Sequence, residues 1–204
     1  MNPSDVQGLF LHASSVVAHG GALLFLGHST AGKTTIAAML KKKFSALADD
    51  SVFVSLDSSG TWQVVDGKFR FEDGCLNNWF DAVRRRYAKG QVMPLLGCVR
   101  IHKAGYVRTA RIEPIETARC LMDAVMEIDV QRKMGGLQEM PGRERPDIVR
   151  MRRMRLQWFQ QAAEIARTCP GWRLWFSRDL HFGGLVEAIA AIAAEARCES
   201  DLSR

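Results

Sequence analysis

The spacing of apolar positions changes along the chain, and the change separates a strand-rich first half from a helical second half. Leu9-Phe10-Leu11-His12-Ala13-Ser14-Ser15-Val16-Val17 reads as a strand, Gly20-Gly21 as a turn, and Ala22-Leu23-Leu24-Phe25-Leu26 as a short, fully buried strand. Thr35, Ile36, Met39, Leu40 and Phe44 then fall on one helical stripe. Ala46-Leu47-Ala48 begins another strand, predicted to run on through Val52-Phe53-Val54 with Asp49-Asp50 in its middle. Trp62, Val64 and Val65 before Asp66-Gly67, and Phe69 and Phe71 after it, predict a hairpin. Pro94 to Ile101 reads as a strand ending at the Lys103-Ala104-Gly105 turn.

From Pro114 onward the period is helical, with Ile115, Ala118, Leu121, Met122, Val125 and Ile128 on one face. Gly135, Gly136, Pro141, Gly142 and Pro146 predict a loop over 131–146. A second helix is predicted from Val149 to Thr168, with Met151, Met154, Trp158, Phe159, Ala162 and Ile165 inward. Arg173-Leu174-Trp175-Phe176-Ser177 is a late strand, and Leu185 to Ala196 an Ala-rich closing helix. The pattern predicts an α/β protein, read as one domain over 1–204, with a strand-rich core over 1–113 and a mainly helical part over 114–204.

One local sequence adds chemistry to this outline. Gly27-His28-Ser29-Thr30-Ala31-Gly32-Lys33-Thr34 fits G-x-x-x-x-G-K-[ST] completely, and it stands between a predicted strand and a predicted helix, the context this P-loop motif requires. Glycines at the two ends permit a tight turn and close approach of backbone to an anion. The turn's N–H groups and the positive end of the helix attract phosphate. Lys33 supplies a point charge for the outer phosphates and Thr34 a hydroxyl for Mg²⁺. His28, Ser29, Thr30, Ala31 and Thr35 complete the predicted nucleotide contacts, with hydroxyls at Ser29 and Thr30 available to supplement the amides.

Composition narrows the class. At 204 residues and 47% hydrophobic content the chain is long enough to bury about 70% of its unfolded surface without a staple. The five cysteines, Cys75, Cys98, Cys120, Cys169 and Cys198, form no C-x-x-C pair and are odd in number, which points to a reduced, cytoplasmic setting and away from zinc. No basic segment precedes a long apolar core at the N-terminus, and no apolar run approaches the roughly 18 residues of a membrane span. The net charge of +6 is explained by a polyanionic nucleotide ligand, a plainer reading than nucleic acid. The 131–155 segment carries Arg132, Lys133, Arg143, Arg145, Arg150, Arg152, Arg153 and Arg155, which form either a solvated basic face or a docking surface for an acidic partner.

Three elements in fixed order resemble a known family. His12-Ala13-Ser14 stands fifteen positions before Gly27, the loop follows, and Ala46-Leu47-Ala48-Asp49-Asp50-Ser51-Val52 comes after the helix. This arrangement, over about residues 8–56, resembles the catalytic domain of HPr kinase/phosphorylase and of the small HPr-kinase-like proteins, with a phosphoenolpyruvate-carboxykinase-type mixed sheet. The resemblance implies ATP and Mg²⁺ as cofactors, Asp49 as general base, Asp50 with Thr34 at the metal, and His12 with Lys33 beside the phosphates. It also implies self-association. Neighbouring carboxylates on a strand point to opposite faces, so Asp49 and Asp50 require different roles; the plain alternative is a strand end whose carboxylates cap turns. His12 by itself is weaker evidence, since a lone histidine beside apolar residues is usually a satisfied core or edge histidine.

The function expected is therefore transfer of the ATP γ-phosphate to a Ser or Thr hydroxyl on a peptide or small protein. Two further readings are a nucleotide-binding regulatory or assembly subunit, favoured by the unusual His28-Ser29-Thr30-Ala31 loop interior, and a small-molecule kinase.

Overall fold

The computed structural model describes residues 8–48, 51–65, 92–137, 148–177 and 182–202. The described strands are β1 (Gly8–Leu11), β2 (Ser14–Ala18), β3 (Gly21–Leu26), β4 (Ser45–Ala48), β5 (Val52–Leu56), β6 (Trp62–Val65), β7 (Val92–Lys103), β8 (Arg108–Ile112) and β9 (Gly171–Phe176). The described helices are α1 (Lys33–Leu40), α2 (Pro114–Leu137), α3 (Ile148–Thr168) and α4 (Phe182–Leu202). The sheet is mixed: β3, β7 and β9 run parallel, and the other pairings are antiparallel.

Strand β7 holds the sheet together. Its first residues, from Val92, pair with β6, its middle with β3, and its last six residues, Cys98–Lys103, with β9. Such length suits a strand buried on both faces, which reads as the continuous run Leu95-Leu96-Gly97-Cys98-Val99. Alternation in β3 divides the core. Ala22, Leu24 and Leu26 join β1, β5, α2 and α3 on one face, while Leu23 and Phe25 join β9, α1 and α4 on the other. The sheet is thus covered by α2 and α3 on one side and by α1 and α4 on the other.

Several boundaries differ from the sequence reading. The β2–β3 turn is His19-Gly20, both at positive φ (48° and 78°), so Gly21 is already in the strand, opposite Ala18. A two-residue turn with both central residues left-handed matches the twist of the flanking strands. The run 9–17 is two strands, with His12 and Ala13 between them, and the run 46–54 is likewise β4 and β5. Leu11 pairs with Val52, and Ser15 with Ala48. Asp49 and Asp50 lie outside the described residues, as do the Asp66-Gly67 turn and the strand expected after it.

Helix α2 continues to Leu137 through Gly135 and Gly136, where a loop was expected from 131. Glycine in a helix costs about 1 kcal/mol relative to Ala but does not forbid it. Ile115 and Phe159, expected inward, are exposed (73% and 52%), because the buried stripes of α2 and α3 pass through Leu121, Ala124 and Val125, and through Ala162 and Ile165. Strand β8 carries alternating Arg108, Thr109, Ala110 and Arg111 and gave no apolar signal; it exists by pairing with β9. Strand β9, from the later part of the chain, pairs with β7 and β8 within the same sheet. Burial raises the thiol pKa of Cys98, and pushes Cys169 up to about 11. Among the described residues, no helix is long and apolar enough to cross a membrane.

Candidate functional site

The Gly27–Thr34 turn leaves the end of β3 between the ends of β2 and β7 and runs directly into α1. Its shape depends on its two glycines. A Cβ on Gly27 would lie 2.9 Å from the Ala31 Cβ and 3.2 Å from Ile101 Cγ1, so the loop packs against β7 at a distance only glycine permits. Gly32, the residue before α1, has φ +101°, a left-handed conformation costly for other residues, and a Cβ there would stand 3.1 Å from Phe176 Cζ. Thr30 also takes positive φ (71°), and the Ala31 N–H closes the turn onto the His28 carbonyl at 3.0 Å. The first helical bond runs from Ile36 N–H to the Gly32 carbonyl at 2.8 Å.

Lys33 is buried to 5% exposure, and its Nζ donates to the carbonyls of Gly27 (2.7 Å) and His28 (3.2 Å), which ties the base of the turn to its exit. Ser14 Oγ donates to the Lys33 carbonyl at 3.0 Å and fixes the start of α1 to β2. His28, Ser29, Thr30 and Thr34 are exposed, and Ala31, Gly32 and Thr35 are half-buried. Helix α1 has no acidic residue in its first turn, so nothing within it compensates the positive end of its dipole.

That compensation comes from α2. The Glu127 carboxylate accepts the Ser29 N–H at Oε1 (3.2 Å), and its Oε2 lies 3.8 Å from Lys33 Nζ and bonds His12 Nδ1. The His12 main-chain N–H donates to the Ala124 carbonyl one turn earlier in α2, at 3.0 Å. The gap between β1 and β2 is therefore where the sheet grips α2. Of the residues predicted for the site, His12, Ser29 and Lys33 meet at one carboxylate. Glu127 itself was not anticipated: it stands 115 positions from His12 in an ordinary helical pattern, and nothing local distinguishes it.

A second polar cluster lies on the same sheet face, at the start of α2. Glu116 accepts from Arg100 Nη1 at 2.9 Å and bonds Arg173 Nη2, joining β7 and β9 to the first turn of α2. The Arg173 bond first, and the Arg100 bond after it, hold its carboxyl below the usual range against the opposing effect of burial. Arg173 and Arg108 also flank the Trp175 ring, at 5.5 and 5.7 Å from its centroid. His102 stacks on Trp175 with ring centroids 5.9 Å apart. Its pKa is lowered by burial first, then by Arg100 and Arg173. This cluster also escaped the sequence reading, because its residues come from two strands and a helix.

The groups gathered at the loop suit a polyphosphate. The Ser29 N–H and the His12 imidazole bond the Glu127 carboxylate, and the buried Lys33 ammonium stands 3.8 Å from it; donors of these kinds also suit phosphate oxygens. For a divalent cation the described residues offer less: no group of three His, Cys, Asp or Glu side chains stands together among them.

The molecule is thus a mixed α/β protein with a glycine-framed strand–turn–helix unit at the end of β3, a strand paired in parallel with β7. No family model matches the chain, and no curated protein matches it. Among solved structures it is similar to the HPr(Ser) kinase/phosphatase from Coxiella burnetii, at 11% identity and a TM-score of 0.40, over 94% of this chain and 98% of that one. A likeness of that degree concerns the distant outline of the fold, and the chemistry rests on the residues themselves.

Proposed function

We propose that the chain is an ATP-dependent kinase that transfers the γ-phosphate to a Ser or Thr hydroxyl of a peptide or small protein, working as one unit over 1–204. The observation that carries this reading is the convergence of the Ser29 N–H, Lys33 and His12 on one anion at the end of β3. Phosphoryl transfer requires little covalent chemistry of a protein; it requires positioning and neutralisation of charge on the transferring group. In this reading the loop amides and Lys33 hold the phosphates, and Thr34 and Asp50 hold Mg²⁺. Asp49 takes the proton of the acceptor hydroxyl, and His12 stands beside the reacting phosphate. Mg-ATP supplies the phosphoryl group and offsets its charge when bound.

The test is mass spectrometry of hydroxyl-bearing peptides incubated with the protein and Mg-ATP. A mass gain of one phosphate that disappears in Asp49→Asn is the expected result. Absence of transfer to every peptide, with ATP turnover unchanged in Asp49→Asn, would overturn the reading. One observation favours a second reading, a nucleotide-binding subunit without transfer: Lys33 is bonded to the loop's own carbonyls and the seat is filled by Glu127. Tight ATP binding in calorimetry with no turnover would select it.

A further inference from the structure

We infer that Glu127 is a built-in competitor for the phosphate seat: its carboxylate holds the Gly27–Thr34 loop in shape while the seat is free of ligand, and a polyphosphate must exchange with it to bind. The inference rests on the reading of that loop as a phosphate cradle and adds a residue that sets its affinity.

The geometry is specific. Glu127 Oε1 takes the Ser29 N–H, one of the loop amides a phosphate oxygen would use, and Oε2 faces both Lys33 and His12. A carboxylate offers the same oxygen acceptors as a phosphate at smaller charge. Its approach is not a loose surface contact. The His12 N–H to Ala124 carbonyl bond fixes α2 in register with the loop, and the Glu127 side chain is only 25% exposed. An ordinary salt bridge at this place would need only Lys33; here the acid also satisfies a main-chain amide of the turn.

Two consequences follow from charge. A phosphate chain cannot share the seat with an ionised carboxylate at contact distance, because like charges there repel strongly. The apparent affinity for phosphate is then the intrinsic affinity reduced by the fraction of time the carboxylate is away.

The test uses inorganic pyrophosphate as the probe, with calorimetry on the full chain and on Glu127→Gln and Glu127→Ala. Both variants should bind pyrophosphate more tightly than the wild type, on the order of tenfold. The ligand-free Gln variant, which keeps the shape and loses the charge, should melt about 2–4 °C lower than wild type. Circular dichroism of both variants establishes that they fold. Equal or weaker pyrophosphate binding in both variants, or no measurable binding in any of the three proteins, would overturn the inference. The kinase reading is judged separately: tightening without transfer to any peptide leaves the competitor standing and removes the kinase, and transfer by wild type without tightening does the reverse.

Discussion

Two carboxylates of helix α2, Glu116 and Glu127, bond groups of the sheet side and stand about three turns, or roughly 16 Å, apart. Both accept from nitrogen donors of other elements. Glu116 lies between two guanidiniums, Arg100 and Arg173, whose charge is permanent and whose planar donor forks match a carboxylate. Glu127 faces an amide N–H, an ammonium and an imidazole. Each of those donors can serve another anion equally well. The same side chain on the same helix face thus closes one cluster and occupies another, and the difference lies in the partners. Arginines from two neighbouring strands join sheet and helix, whereas the donors at the glycine-framed turn are ones that a phosphate, in the function proposed, would also use.

The largest way to break this contrast is to remove the cation of the seat. Lys33→Ala should weaken nucleotide binding and any turnover on the order of 100-fold or more, as loss of a preorganised charge at a transferring group does; calorimetry and a coupled ATPase assay measure it. Retained affinity would place the phosphates elsewhere. Next comes the frame of the seat. Gly32→Ala forces a Cβ into a left-handed backbone beside Phe176 and should cost about 1–2 kcal/mol in urea unfolding, with weaker nucleotide binding, while the Glu116 joint is untouched.

Glu116→Gln probes the other side of the comparison. Its cost at neutral pH should be about 1 kcal/mol or less, since the cluster is partly open to water, and nucleotide affinity should not change. The carboxyl is held below its usual range, so the cluster's contribution is complete above the unfolded value of about 4.3 and disappears as the pH falls through the lower folded value. Urea midpoints of wild type and variant should therefore differ at neutral pH and coincide in acid.

The smallest effect belongs to His102. Its folded pKa is lowered, so its contribution is lost as the pH falls below about 6.5 towards that folded value. His102→Gln should flatten this slope slightly. In an NMR titration the ring should respond below the ordinary imidazole range.

The parts legible in the sequence are those whose cause is local. The strand before Gly27, the turn and the helix after Gly32 were read from adjacent residues, and the structure places β3 and α1 there. The buried stripe of α2 through Leu121 and Val125 followed from helical spacing. Phe159 and Ile115 were misjudged because apolar identity states a preference for burial, and the sheet reaches only part of each helix. Strand β8 was missed because an edge built on arginines and threonine has no apolar alternation; its partner β9 makes it a strand. His12 was ambiguous, since a histidine beside leucines looks alike in a core and at a site. Its bond to Glu127 and the bond of its amide to Ala124 decide where it sits.

The sequence by itself determined a tight turn between a buried strand and a helix, because glycine conformations and apolar spacing act over a few residues. Only the tertiary structure decided what that turn holds. The register of α2 against the broken β1–β2 edge is set by packing of Leu121, Ala124 and Val125 under the sheet, and that packing carries Glu127 to the Ser29 amide across about a hundred positions of chain. No spacing rule spans such a distance, since it depends on how two apolar faces meet.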